Sequence, residues 1–490
     1  MNLHPADIAV LIAYLVAVFF IGLFCSRMVR SQKDLFLGGR RFGKFMLAFQ
    51  SFGIGTHSEQ VVAVVGQCYR LGLSGIWWQF LWLFSTPVYW LSHPMLRRMR
   101  MVTTADYWSE RFSPSLAYLA AFMGLFQVTF TIATMLKAMG TVLESVTMGA
   151  LSEAVVIPAA SVLFVFYGIA GGLYAATITD VIQGVLTVAL SMLMIPFILS
   201  RTGGMAGMHR LLDPAKFAYT VPGEMTGFYI GMLSLNGLVG VYTGPHTMTN
   251  LGSGRNEADV RVGVMAGTLM KRFCTVAWAF LGLGALALFP DLPSHEYAFG
   301  TLVSELLPPG LVGLMIAGIL AAIMSTCDAL MLSGAALFTR NLYGAARPGR
   351  SEGHYIAVGR VASGCLVGVA AVLAFFLPSV LSGLKAVWTI YAFMGLAWWA
   401  GVIWRRTTTI AAWASSIATA VAYWATLLYN ARAARPLPYP EQIAVYLCCG
   451  LVTLVAVSWL TGHKDEAKVA RFYRKMRTPT TVASEFDAED

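Results

Sequence analysis

The chain is 490 residues long, 57% hydrophobic and only 12% charged, with a mean hydropathy of +0.67. A soluble domain of this length does not tolerate so apolar a composition, so the expected fold class is an all-α polytopic membrane protein. The formal net charge of +10 is gathered in short clusters between apolar runs, which is a membrane-topology pattern and not a nucleic-acid face.

Apolar runs recur near the ~20 residues needed to cross a bilayer, about thirteen of them between Ile8 and Leu460. The first run has no short apolar core with a small-residue cleavage site, so it reads as a retained span. Arg27, Arg30, Lys33, Arg40, Arg41 and Lys44 crowd the first loop, Arg97, Arg98 and Arg100 the third, and Arg340, Arg347 and Arg350 follow the ninth span. The tail adds Lys464, Lys468, Arg471, Arg474, Lys475 and Arg477. The positive-inside rule puts these segments in the cytoplasm, with the N-terminus outside, the C-terminus inside and an odd number of spans.

The second span, about 46–69, is interrupted by Gly53-Ile-Gly-Thr-His-Ser-Glu-Gln, poor helix material at mid-membrane depth. Lys137, late in the fourth span, is placed to snorkel outward, and Asp180 falls at the cytoplasmic end of the sixth. The seventh span carries a second interruption, Asn236 to His246, in which Pro245 removes a backbone donor. Interruptions five spans apart predict inverted repeats over about 46–200 and 226–403, within a membrane domain 1–461 followed by a basic, polar cytoplasmic tail 462–490. Broken helices in matching positions point to a transporter binding site, although glycine-rich spans also serve close helix packing. Lys271 lies about a dozen residues into the eighth span, where an ammonium needs a partner: a solute, a carboxylate among them, or Glu59.

In the ninth span Ala322, Ser325 and Thr326 share one helix face, and Asp328 continues it. Hydroxyls beside a backbone carbonyl suit a hard monovalent cation; they also suit hydrogen bonds back to their own helix. The seven cysteines fall in or beside apolar runs without zinc-ligand spacing and read as small buried hydrophobes. Trp77, Trp78, Trp108, Trp398 and Trp399, at span ends, read as interfacial anchors.

Gly38-Gly-Arg40, Gly171-Gly-Leu-Tyr-Ala-Ala-Thr-Ile-Thr-Asp-Val-Ile-Gln183 and Ala321-Ala-Ile-Met-Ser-Thr-Cys-Asp328 together resemble the sodium:solute symporter family. The resemblance implies the leucine-transporter-like fold, a five-plus-five inverted repeat with extra spans at the ends, and sodium-driven uptake by alternating access. It also implies a sodium (Na+) site built from the carbonyls of Gly53, Thr56 and Ala322 and the hydroxyls of Ser325 and Thr326. Family members hold an aspartate near the position of Asp180, and with Asp328 it forms a carboxylate pair for sodium coupling or for structure. Gly55 stands where proline symporters carry an aspartate, so no sodium role passes to that position.

The same resemblance places Glu59, Gln60, Asn236 and, with one residue of slippage, Lys271 at sugar-contacting positions of the galactose symporter. Amide and ionic groups of this kind suit a polyhydroxylated solute. Gly237 and Val241 stand where the proline symporter has aromatics, leaving Tyr242 as a candidate gate or a packing residue. His57 and His246 adjoin the breaks as candidate proton-sensitive contacts or packing groups.

No Walker A, HExxH or nucleophile elbow occurs in a credible context, and the tail is too short for a catalytic domain, which argues against an enzyme. The expectation is a sodium-coupled symporter of the inner membrane for a sugar or sugar derivative, with sodium, the solute and the lipid bilayer as partners and no obligate protein partner. An amino acid or carboxylate solute, and an uncoupled facilitator or sensor, are the alternatives.

Overall fold

The computed structural model describes residues 4–26, 40–462, 465–482 and 485–486, without the side chains of 18, 19, 21–26, 163, 166–180, 325 and 328. Within them all regular structure is helical apart from two isolated bridges.

Helix α1 (Pro5–Ser26) opens the chain. The first break then separates α2 (Lys44–Gly55) from α3 (Ser58–Leu71). Thr56 (φ −119, ψ 100) and His57 (φ −113, ψ 155) are both extended, and two such residues suffice to stop the helical ladder. The interruption is therefore shorter than the glycine-rich stretch suggests, because Gly53 and Gly55 remain helical. Short helical turns over 72–83 lead into α4 (Thr86–Arg98) and α5 (Thr104–Arg111), the latter started by a Thr103–Asp106 capping box. The long helices α6 (Pro114–Val146) and α7 (Glu153–Thr202) follow.

The second interrupted span comprises α8 (Gly227–Gly240) and α9 (His246–Ser253), parted by the non-helical residues 241–245. The chain continues through α10 (Glu257–Leu288), α11 (Leu311–Ala336), α12 (Glu352–Phe376) and α13 (Val380–Ile403). Helices α14 (Thr409–Asn430) and α15 (Tyr439–Leu460) follow as a packed pair. The two broken spans are joined by backbone at one end: Phe42 N–H donates to Ser253 O (3.2 Å) and Arg255 N–H to Phe42 O (2.9 Å).

Helix α10 runs along both halves of the first broken span because its contact face is glycine. A Cβ at Gly267 would stand 2.3 Å from Ala48 O, and one at Gly282 would stand 2.5 Å from Cys68 Cβ. Gly263 and Gly267 form a small-xxx-small pair, so van der Waals contact between backbones replaces the hydrophobic drive that lipid does not supply.

Several expectations change. Eight stretches of the described residues are long and apolar enough to cross a bilayer as continuous helices, and Gly227–Gly240 of the second broken span is a shorter apolar piece. Trp78, Trp108 and Trp398 are buried in the bundle and do not anchor an interface. Cys68, Cys274 and Cys327 are buried, whereas Cys365, Cys448 and Cys449 lie on the outer surface of the helices. Lys137 does not snorkel; its Nζ meets Glu153 Oε2 at 2.5 Å. Part of the tail packs on the bundle: α16 (Glu466–Arg477) buries Val469, Phe472 and Met476, and Lys475 pairs with Glu110 at 2.8 Å.

Candidate functional site

Four of the five oxygen donors expected for sodium meet where α2 ends. Thr326 Oγ1, fully buried on α11, lies 2.9 Å from Gly53 O, 3.1 Å from Ala322 O and 3.5 Å from Thr56 O. The break brings the Gly53 and Thr56 carbonyls to the end of α2, where Gly53 O also accepts the Thr56 N–H (3.2 Å) in the last turn. One hydroxyl carries one proton and cannot satisfy three carbonyls together. Thr56 Oγ1, buried beside them, has no hydrogen-bond partner among the described residues. A buried cluster of four oxygens fits a small hard cation. The side chains of Ser325, Asp180 and Asp328 lie outside the described ones. Among the described residues no cluster of three His, Cys, Asp or Glu side chains offers an alternative metal site.

One peptide bond beyond Thr56, the break opens onto a cavity of about 170 Å³. At about 30 Å³ per liquid water that is room for about six waters, the scale of a small solute. Its polar wall holds His57, Glu59, Gln60, Lys271 and Arg272, and its aromatic wall Trp82, Tyr89, Trp388 and Tyr391. His57 is clamped, with Nδ1 2.6 Å from Glu59 Oε1 and Nε2 2.5 Å from Ile54 O. Glu59 Oε2 and Gln60 Oε1 are buried and receive no hydrogen bond from the described residues. The Lys271–Glu59 ion pair that the sequence left open is not formed among the described contacts. Arg272 also lines the cavity, and its Nη1 donates to the Gln79 carbonyl.

Two expected solute contacts stand elsewhere. Asn236 is fully buried, accepts from Tyr446 Oη (2.8 Å) and donates to Trp388 O (3.4 Å), so its amide is used in joining α8 to α13 and α15. Tyr242 is buried among Tyr89, His93, Trp398 and Trp399, with its hydroxyl against Ser92, and does not line the cavity. Its neighbour Val241 does. Trp388 and Tyr391 went unnoticed in the sequence. Their three-residue spacing on α13 puts them on one face, but aromatics are too common in apolar spans for that spacing to mark a site.

Two broken spans, an oxygen cluster at one break and a cavity with ionisable and amide side chains beside it are the arrangement expected of a secondary transporter. The sodium:solute symporter family profile matches residues 35–418, and the chain belongs to that family. It is 26% identical over 375 residues to the sodium/pantothenate symporter of Escherichia coli, covering 70% of this chain and 73% of that one. It is 25% identical over 407 residues to sodium/myo-inositol cotransporter 2 of Sus scrofa, covering 74% and 60%. In fold it is similar to a Na+-coupled sialic acid symporter solved substrate-bound and outward-open, with a TM-score of 0.82, 18% identity and coverage of 94% and 98%. The protein is accordingly a multi-pass membrane transporter and not an enzyme.

Proposed function

We propose that the protein is an inner-membrane symporter that uses sodium to carry a small polar, hydroxylated solute, a sugar or sugar derivative, into the cell by alternating access. The observation that supports this best is the convergence of Gly53 O, Thr56 O, Ala322 O and Thr326 Oγ1 beside a polar cavity. Ser325 is proposed as a further sodium ligand, and Asp180 and Asp328 as carboxylates that help hold or release the ion. Thr56 contributes to the oxygen cluster and the adjoining His57 orients Glu59 at the cavity, so an ion on one face of the break biases the geometry of the other. Coupling of that kind is reciprocal: solute must tighten sodium by the factor by which sodium tightens solute.

Relatives named for pantothenate and for myo-inositol put a carboxylate-bearing and a neutral solute in one family, so names do not choose between them. The test is uptake of labelled solutes into proteoliposomes under an inward sodium gradient, with choline replacing sodium at fixed pH. Uptake that requires sodium is expected; equal uptake in choline would leave a facilitator. Unchanged sodium affinity in Asp180→Asn would remove that carboxylate from the coupling scheme.

A further inference from the structure

The cavity wall carries two basic side chains, Lys271 and Arg272, against one carboxylate, Glu59. Glu59 is already held by His57 at 2.6 Å, and Arg272 is held by the Gln79 carbonyl. Lys271 is different. It is buried and reaches the cavity from α10, yet its Nζ makes no hydrogen bond or ion pair with any described residue. A lysine ammonium inside a membrane protein is costly to leave unpaired, and near the bilayer centre it finds a counter-charge or a wet cavity. On the same wall Glu59 Oε2 and Gln60 Oε1 are buried acceptors without a donor. The site therefore lacks an anion at one place and hydroxyl or amine donors at another.

We propose that Lys271 Nζ anchors the carboxylate of a small hydroxy acid, whose hydroxyls donate to Glu59 and Gln60. The assignment rests on the reading of this cavity as the solute site. It narrows the solute from sugars in general to sugar acids and related hydroxy acids. A neutral polyol satisfies the two acceptors but leaves the ammonium unpaired, so the charged member of any matched pair is favoured.

The test uses the purified full-length protein and thermal-shift titrations, with and without sodium. The probes are hydroxy acids of three to six carbons, each set against the alcohol of the same skeleton: glycerate with glycerol, threonate with threitol, gluconate with sorbitol. At least one acid is expected to stabilise the protein in a sodium-dependent way, with its alcohol about tenfold weaker or more. Lys271→Gln should erase that preference while Lys271→Arg keeps it, and retention of the sodium-induced shift in both variants shows that they fold. An alcohol that binds as tightly as its acid, an undiminished acid affinity in Lys271→Gln, or a sodium response with no probe bound overturns the assignment and leaves the symporter reading standing. A protein that responds neither to sodium nor to any probe sinks both.

Discussion

Replacing Thr326 by valine deletes one oxygen and keeps the shape of the side chain. In the structure that oxygen lies 2.9 Å from Gly53 O and 3.1 Å from Ala322 O, with Thr56 O at 3.5 Å. An oxygen contact to a charged group contributes about 1.5–3 kcal/mol. At 1.4 kcal/mol per decade, its loss weakens sodium binding roughly 10- to 150-fold. Because a ligand that binds only the folded state stabilises it in proportion to the logarithm of its concentration over Kd, the effect is readable without knowing the solute. Thermal stability is titrated with sodium chloride at constant ionic strength, balanced with choline, for the wild type, Thr326→Val and Thr419→Val. Thr419 is an equally buried hydroxyl that only bonds back to Ser415 O (2.8 Å) on α14, so its variant controls for the loss of a buried hydroxyl as such. The expected result is a sodium midpoint displaced in Thr326→Val alone. A wild-type midpoint in that variant refutes the assignment of the oxygen cluster to sodium.

Gly267→Ala puts a Cβ 2.3 Å from Ala48 O and 2.8 Å from Phe52 N, both backbone atoms that cannot rotate away. It should cost about 1–3 kcal/mol in detergent melts, whereas Gly231→Ala, with nothing within 4 Å, should not destabilise. Asn236→Leu removes the partner of buried Tyr446 Oη and should cost about 1–3 kcal/mol while leaving solute selectivity intact; a selectivity change would return Asn236 to the solute site. Asp7 Oδ1 accepts from Gly310 N (2.7 Å) and Gly313 N (2.8 Å) at the start of α11. Asp7→Ala should therefore lower stability by about 1 kcal/mol and Asp7→Asn by less, since the amide keeps an acceptor oxygen; equal melts for both variants and wild type would rule out the cap.

The membrane class, the two interruptions and the polar residues within the ninth span were all readable from the chain, for one shared reason. Polar or helix-breaking residues inside an apolar span are costly, so each of them stands out against its background. The exact break was not readable. Gly53 and Gly55 tolerate helical dihedrals as well as others, so the glycines mark permission to break and not the place where it happens. The interruption falls on Thr56 and His57, where the Thr326 hydroxyl and the Glu59 carboxylate meet the chain as it leaves the helix.

Side-chain direction was the second thing hidden. Asn236 and Tyr242 have the chemistry of solute contacts, but a helix turns about 100° per residue, so one residue of register decides between cavity and core. Val241 faces the cavity while Tyr242 is shut among four aromatic or imidazole rings. The same uncertainty worked the other way for Lys271. From sequence its ammonium had two equivalent destinations, an internal carboxylate and a ligand. The clamp of His57 engages one oxygen of Glu59, Oε1, and that contact depends on the extended backbone at the break. The two-residue break thus shapes both sides of the candidate site: it brings the Gly53 and Thr56 carbonyls to Thr326 and turns His57 toward Glu59, while Lys271 reaches the same cavity from α10.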